Sequence, residues 1–311
     1  MRSKVRPLEG ENDSVNKSAF IKLSIAMTIF GSIGFFSRLT GLPSMELVFV
    51  RCISATVFLT AFWLISGHYK QEKWQKKEMT TIIIGGIFLV LNWIFFFASF
   101  EKTAITVAIS IYNLAPILVL VIGWIFFKDR IKWIGVGAVT LAFIGTVLIS
   151  GVRPSDLMNR TSVAGPVYAL IAACLYALVI ITGKYIKHAS PYLVTIIQTF
   201  IGVIMLLPFV HYSLYAQLTA ANWFYSIFTG VVHTGVVYLL FYGSIRSLPT
   251  PILSALTYLD PLVAILLDVV ITGFVPTFLQ IAGILLIFIA LSYTFIQREP
   301  ADSGSKTDIQ Q

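Results

Sequence analysis

The sequence predicts an all-α membrane protein, with ten transmembrane helices arranged as two inverted five-helix repeats around a central cavity. Three observations lead there. Of 311 residues, 57% are apolar and only 12% charged, with a mean hydropathy of +0.87, whereas a soluble domain carries about 25% charged residues. The apolar residues gather in ten runs close to the roughly 20 residues that a helix needs to cross about 30 Å of hydrocarbon. The two halves of the chain also resemble each other at an offset of 145 residues.

Taken in order, a basic N-terminal tail (1–17) leads into the first run, 18–38, which closes at Ser37-Arg38-Leu39 without a small-x-small cleavage pattern and so reads as a retained helix and not a signal peptide. The second and third runs, 44–66 and 79–100, are separated by Lys70, Lys73, Lys76 and Lys77. Lys102 precedes the fourth, 103–127, and Lys128, Arg130 and Lys132 separate it from the fifth, 131–150. A linker at 151–162 carries Arg153 and Arg160. The second half runs through 163–184, 190–210, 221–245, 249–271 and 277–297, with Lys184, Lys187 and Arg246 at alternate ends, and a tail at 298–311 follows. The expected domains are thus a cytoplasmic tail (1–17), a first repeat (18–150), an external linker (151–162), a second repeat (163–297) and a cytoplasmic tail (298–311). Ten runs consume about 200 residues. The rest is loops and short tails, too little for an extramembranous catalytic or nucleotide-binding domain.

The net charge of +8 is an orientation signal and not a nucleic-acid footprint. Seventeen Lys and Arg fall on one side of the runs; Arg38, Lys102, Arg153 and Arg160 fall on the other. By the positive-inside rule both termini are cytoplasmic in a multi-pass protein of the cell membrane. Nucleic acid is excluded as a partner; the lipid bilayer and a small molecule are expected ones, in a monomer or homodimer. Cys52 and Cys174 lie within runs and read as small apolar fillers.

At the offset of 145, residues 82–116 lie over 227–261 with Ile82/Ile227, Gly85/Gly230, Phe96/Phe241, Ser99/Ser244, Leu114/Leu259 and Pro116/Pro261 identical. Trp93 falls on Tyr238 and Phe97 on Tyr242; with small loop shifts, Phe30 overlays Tyr176, Arg38 Lys184, Pro43 Pro191 and Gly135 Gly283. Five crossings per half is an odd number, so the second half enters from the opposite side. Inverted halves related by an axis in the membrane plane point to alternating access.

The pattern Leu47-x-Phe49-x-Arg51 after Pro43, Asn113-Leu114-Ala115-Pro116 and Tyr258-Leu259-Asp260-Pro261 resembles the EamA-type branch of the drug/metabolite transporter superfamily, over residues 18 to about 297. The resemblance implies a ten-helix bundle whose central cavity is lined mainly by its first, third, fourth, sixth, eighth and ninth helices. It also implies transport of small solutes such as amino acids and other metabolites, often as export, without a cofactor. Where the family commonly places Gly-Glu, this chain has Lys128-Asp129 and Gly273-Phe274; the first helix also lacks the glutamate of the smaller multidrug relatives, which argues against their proton-coupled efflux mechanism.

An ionisable group at mid-bilayer costs about 2.5 to 3.5 kcal/mol on insertion scales, so each needs a partner or a watery cavity. Glu46 and Arg51 are five residues apart, about 140° around a helix, and poorly placed to pair. Arg51 then needs another acceptor, such as a carbonyl near Pro116 or Pro261, or binds substrate. Asp260 precedes Pro261, whose ring denies the Thr257 carbonyl its helical donor; it either pairs with Arg51 or forms a cation or proton site. Asp268, about 12 Å further along the same stripe, reads as entrance electrostatics or a solvated end. His233 is the one histidine placed mid-helix, and with Asn92 it shares faces of small, polar and aromatic residues, unlike lipid-facing stripes.

Trp63, Trp74, Trp223 and Tyr293 fit the interfacial belts. Trp93, Tyr112, Tyr176, Tyr238 and Tyr258 lie deeper. The expected cavity residues are therefore Asn92, Trp93, Tyr112, Asn113, Tyr176, His233, Tyr238 and Tyr258, with Arg51, Asp260 and His233 as charge or coupling groups and the proton as a candidate coupling ion. Aromatic walls favour an amphipathic solute such as an amino acid with an apolar or aromatic side chain. Neither a phosphate loop, a nucleophile elbow nor a metal-ligand motif occurs, so no enzyme is expected. Competing readings are a scaffold or receptor on the same fold, an importer, or a drug-efflux carrier.

Overall fold

The computed structural model describes residues 16–73, 75–103, 105–127, 133–151 and 163–296. The expected tails apart from Asn16 and Lys17, most of the 151–162 linker, Trp74, Lys128-Asp129 and the side chain of Tyr293 lie outside the described residues. Every regular element among the described residues is helical. The first half comprises α1 (Lys17–Leu39), α2 (Ser44–Ile65), α3 (Lys76–Phe100), α4 (Ile105–Tyr112), α5 (Ala115–Phe127) and α6 (Trp133–Ser150). The second comprises α7 (Ala164–Tyr185), α8 (Pro191–Leu206), α9 (Ala220–Phe228), a π-helical segment Thr229–Val236, α10 (Val237–Ile245), α11 (Thr250–Thr257), α12 (Leu259–Thr272) and α13 (Phe278–Ile296).

Among the described residues, eight segments are long and apolar enough to cross a membrane: Lys17–Arg38, Ser44–Ile65, Lys76–Phe100, Val107–Ile125, Ala164–Tyr185, Pro191–Phe209, Ala220–Ile245 and Thr250–Thr272. In the runs read at 131–150 and 277–297, α6 and α13 form at Trp133–Ser150 and Phe278–Ile296, but their apolar stretches among the described residues, Gly135–Ser150 and Phe278–Ser292, are shorter. Two of the spans are broken beside a proline, for physical reasons legible in the residues. Pro116 has no N–H for the Tyr112 carbonyl, and the chain breaks at Asn113-Leu114 between α4 and α5. Pro261 repeats this for Thr257, and the chain breaks at Tyr258 between α11 and α12.

Helix ends obey ordinary capping chemistry. The Asn16 side chain accepts from Ala19 N at 3.1 Å, and Ser190 caps α8 ahead of Pro191, which needs no donor at that first position. Thr219 and Asn222 form a capping box at α9. The helices are apolar on their outer as well as inner faces: Ile25, Val57, Phe62 and Ile65 stand exposed while Leu23, Leu59, Ile180 and Leu256 are buried. That is the pattern of a bundle solvated by lipid.

With hydrocarbon outside, helix association depends on close packing and polar contacts more than on apolar burial. α6 meets α13 where Gly145 faces Gly283, and a Cβ on Gly283 would stand 2.5 Å from the Gly145 carbonyl oxygen. α3 packs on α7 and α8 through Gly85, beside Thr182 and Gln198, and the π segment packs on α2 through Gly230, over the Arg51 backbone. Tyr242 donates a short hydrogen bond from its hydroxyl to Gln198 Oε1, tying α10 to α8. α1 lies against α10 and α12, where Gly31 approaches the Asp260 carbonyl.

Gly283→Val should separate α6 from α13 and lower stability by about 1 to 3 kcal/mol, the usual cost of overpacking. Thermal unfolding of detergent-purified protein checks this; Gly137→Val, at a glycine with nothing within 4 Å of an added Cβ, is the control and should leave the midpoint in place.

Candidate functional site

The two proline-induced breaks face each other at the centre of the bundle. The Tyr258 hydroxyl donates to the Asn113 carbonyl at 3.1 Å, so one break satisfies a backbone group exposed by the other. A cavity of about 270 Å³ opens there, lined by Arg51 from α2, Trp93, Phe96 and Phe97 from α3, Tyr112 and Asn113 at the first break, Tyr176 from α7, Tyr238 from α10, and Thr257, Tyr258 and Asp260 at the second. Phe30 and Ser37 of α1 and Ser44 at the start of α2 also line it. A second space of about 540 Å³ shares Phe96, Tyr112, Asn113 and Asp260 with the first and continues to Asp268, Phe274 and Gln280.

Arg51 is 7% exposed, and its Nε donates to Thr234 Oγ1 at 2.9 Å. The acceptor is thus a hydroxyl on the π segment and not a carbonyl near either proline. No ion pair joins Arg51 to Asp260, although both line the same cavity, and among the described residues nothing donates a hydrogen bond to the Asp260 carboxylate. The structural alternative of an Arg51–Asp260 pair is therefore not what the chain adopts. Glu46 turns away from Arg51 to His211, accepting from its backbone N at 3.2 Å and standing 2.9 Å from its Nδ1. Asp268 meets Arg38 at 3.7 Å in an exposed pair of little energetic weight.

Aromatic rings form the rest of the surface. Tyr238 touches Phe30 and Trp93 edge-on, with centroids 5.4 and 6.5 Å apart; Tyr112 lies 4.2 Å from Phe96 and 5.7 Å from Tyr176. The Asn113 amide nitrogen is buried without a partner.

Two residues expected on the cavity wall stand elsewhere. Asn92 is 1% exposed; its amide donates to the Ala172 carbonyl at 2.7 Å and contacts the Tyr112 hydroxyl at 3.4 Å, joining α3 to α7 behind the wall. His233 is packed between Phe36 and Phe228, with Nε2 2.9 Å from Ser32 Oγ. Ser32 gives its own hydrogen to the Ile29 carbonyl, so it accepts from Nε2, which leaves Nδ1 buried and unpaired. The physical reason is the wide π turn: α-helical spacing from Gly230 through His233 to Ser244 does not hold across it, so the shared face read from the sequence is broken. Conversely, Phe30, Ser37, Ser44, Phe96, Phe97 and Thr257 line the cavity without having been singled out. Phe30 and Phe96 carried a signal, since the internal overlay places them on Tyr176 and Phe241.

The cavity lies nearer one end of the bundle. At that end Asn222 Nδ2 donates to the Leu39 carbonyl at 3.0 Å, and Tyr215 donates from its hydroxyl to the Glu46 carbonyl at 3.1 Å. Burial, and then the Glu46 carboxylate, push the Tyr215 phenol above its usual range. The opposite end is clamped. Glu78 accepts from the backbone N–H groups of Lys187, His188 and Ala189 at 2.8 to 3.1 Å and meets His188 Nδ1 at 2.9 Å, while Glu72 accepts from Ser190 N and Oγ. Arg246 donates to the Lys187 and Ala189 carbonyls of the same turn at 3.1 and 3.0 Å. Burial lowers the Arg246 pKa, and the nearby Glu78 and Glu72 act against that shift.

These features define a multi-pass helical membrane protein with a charged, aromatic internal cavity. Its sequence matches the EamA-like transporter family twice, over residues 17–151 and 163–296, and the chain belongs to that family. It is 47% identical over 296 residues to the uncharacterized transporter YxxF of Bacillus subtilis strain 168, covering 94% of this chain and 95% of that one. An uncharacterized transporter of Archaeoglobus fulgidus is 28% identical over 226 residues, or 72% of this chain and 79% of its own. A solved crystal structure shares the fold with a TM-score of 0.77 at 16% identity, over 90% of this chain and 98% of that one.

Glu78→Ala should strip the acceptor from the Lys187–Ala189 turn and cost about 2 to 3 kcal/mol, because buried donors are left unpaired. Glu78→Gln retains one acceptor oxygen and should cost less. Chemical or thermal unfolding in detergent ranks the three proteins; equal stabilities would mean the clamp carries no weight.

Proposed function

We propose that the protein is a secondary carrier, and not an enzyme, that exports small zwitterionic solutes, above all amino acids with apolar or aromatic side chains, by alternating access. One observation carries the reading: Arg51 and Asp260 line one aromatic cavity without pairing with each other. A guanidinium suits a carboxylate, a carboxylate suits an ammonium group, and rings suit an apolar side chain. The cavity of about 270 Å³ has room for a solute of amino-acid size.

In this reading the helices form ten spans, as two inverted repeats at 18–150 and 163–297 flanked by the cytoplasmic tails and an external linker. Three features support it: the family match falls once on each half, the proline breaks recur at 113–114 and 258, and the helix pairings correspond when the halves are exchanged, α3 on α7 answering α10 on α1. Basic residues favour a cell-membrane protein whose clamped Glu78 end faces the cytoplasm, so that the cavity opens outward here. Asp260 is the residue at which a coupling proton would bind; His233, packed away from the cavity, serves the structure. The working unit is a monomer or homodimer, with no cofactor and no nucleic-acid partner.

Reconstituted in liposomes, the wild type should give saturable flux of labelled leucine or phenylalanine. Arg51→Gln and Asp260→Asn should each reduce it about tenfold or more, the loss expected for a hydrogen bond to a charged group. Flux that no amino acid supports, or that both variants retain, contradicts the assignment.

A further inference from the structure

The π-helical segment Thr229–Val236 packs on both α2 and α1, and among the described residues it carries the one side chain that holds Arg51. Thr234 is fully buried, and its Oγ1 accepts from Arg51 Nε at 2.9 Å. The approach needs backbone contact: a Cβ at Gly230 would meet Ser54 Cβ at 2.6 Å and the Arg51 Cα at 3.0 Å. On the other side His233 fastens the same segment to Ser32 of α1. The corresponding stretch of the first half lies inside the unbroken helix α3, so this wide turn is a departure of one half from the other. Such turns persist where a local geometry serves a site.

A guanidinium has two edges that grip a carboxylate through parallel N–H donors, one formed by Nε with a terminal nitrogen and one by the two terminal nitrogens. Thr234 occupies Nε. The edge left for the cavity is the terminal pair. We infer that Thr234 is a positioning residue that presents the terminal edge of Arg51 to the cavity and thereby sets the preference for solutes bearing a carboxylate over otherwise identical solutes that lack one. The inference rests on the reading of Arg51 as the carboxylate group's partner. Thr234 itself does not touch the solute.

The test compares leucine with leucinamide, and phenylalanine with its amide, by titration into purified full-length protein. Wild type, Thr234→Val, Thr234→Ser, Thr234→Ala and Arg51→Gln are measured side by side, with thermal midpoints recorded for each. Thr234→Val keeps the shape and removes the acceptor. It should lose about tenfold in the acid-over-amide preference while amide binding stays close to wild type, and Thr234→Ser, which keeps the hydroxyl, should restore the preference. A merely structural role would weaken acid and amide by the same factor, and that result overturns the inference. If Thr234→Val does not fold, Thr234→Ala carries the same expectation. A preference lost in Arg51→Gln but kept in Thr234→Val and Thr234→Ala refutes the role of Thr234 and leaves the site reading standing. A wild type with no preference for the acid, or one that Arg51→Gln retains, refutes both.

Discussion

An arginine and an aspartate inside an apolar bundle, facing one space and not each other, set the terms for the rest of the structure. In hydrocarbon each would be costly, and a direct pair would be the simplest way to reduce that cost. The chain instead keeps them apart. Arg51 is held by a threonine, Asp260 is left open, and the wall between them is built from rings and amides. Such an arrangement is tolerable only if the space admits water or a solute that supplies both missing charges.

That space exists because two helices are interrupted. Irregular backbone at membrane depth is stable where it lines a cavity or is satisfied by protein, and both conditions operate here: the breaks at Asn113-Leu114 and Tyr258 bound the cavity, and the Tyr258 hydroxyl satisfies the Asn113 carbonyl. Each proline therefore does two jobs, ending a helix and widening the room around the charges. The bundle ends differ in a way that matters mechanically. The turn at 187–190 is held through its donors by Glu78 and Glu72 and through its acceptors by Arg246, whereas the Leu39 end is held by separate contacts, from Asn222 to the Leu39 carbonyl, from Tyr215 to the Glu46 carbonyl and between Glu46 and His211. Under the proposed cycle, motion that closes the open end has to release the clamped one.

Much of this was legible in the sequence because membrane burial leaves few ways to place polar groups. Pro116 and Pro261 marked the breaks, scarce charges marked Arg51 and Asp260, and deep aromatic residues marked Trp93, Tyr112, Tyr176, Tyr238 and Tyr258, all of which meet around one cavity. Asn92 and His233 show where such reading stops. Both were placed by α-helical spacing, which gives an angle around a helix but not the partner opposite. Asn92 found the Ala172 carbonyl, and His233 fell on a π turn that no periodicity in an apolar run reveals. The acceptor for Arg51 was missed for the same reason: Thr234 is brought to it by that turn and by the missing side chain of Gly230.

In the proposed function, Arg51 and Asp260 together form one receptor for a zwitterion. A high-resolution crystal structure determined with leucine at saturating concentration tests this. The expected result is leucine in the cavity, with its carboxylate within hydrogen-bonding distance of the Arg51 terminal nitrogens and its ammonium group within reach of Asp260. An empty cavity with Arg51 and Asp260 closed on each other as an ion pair would contradict it.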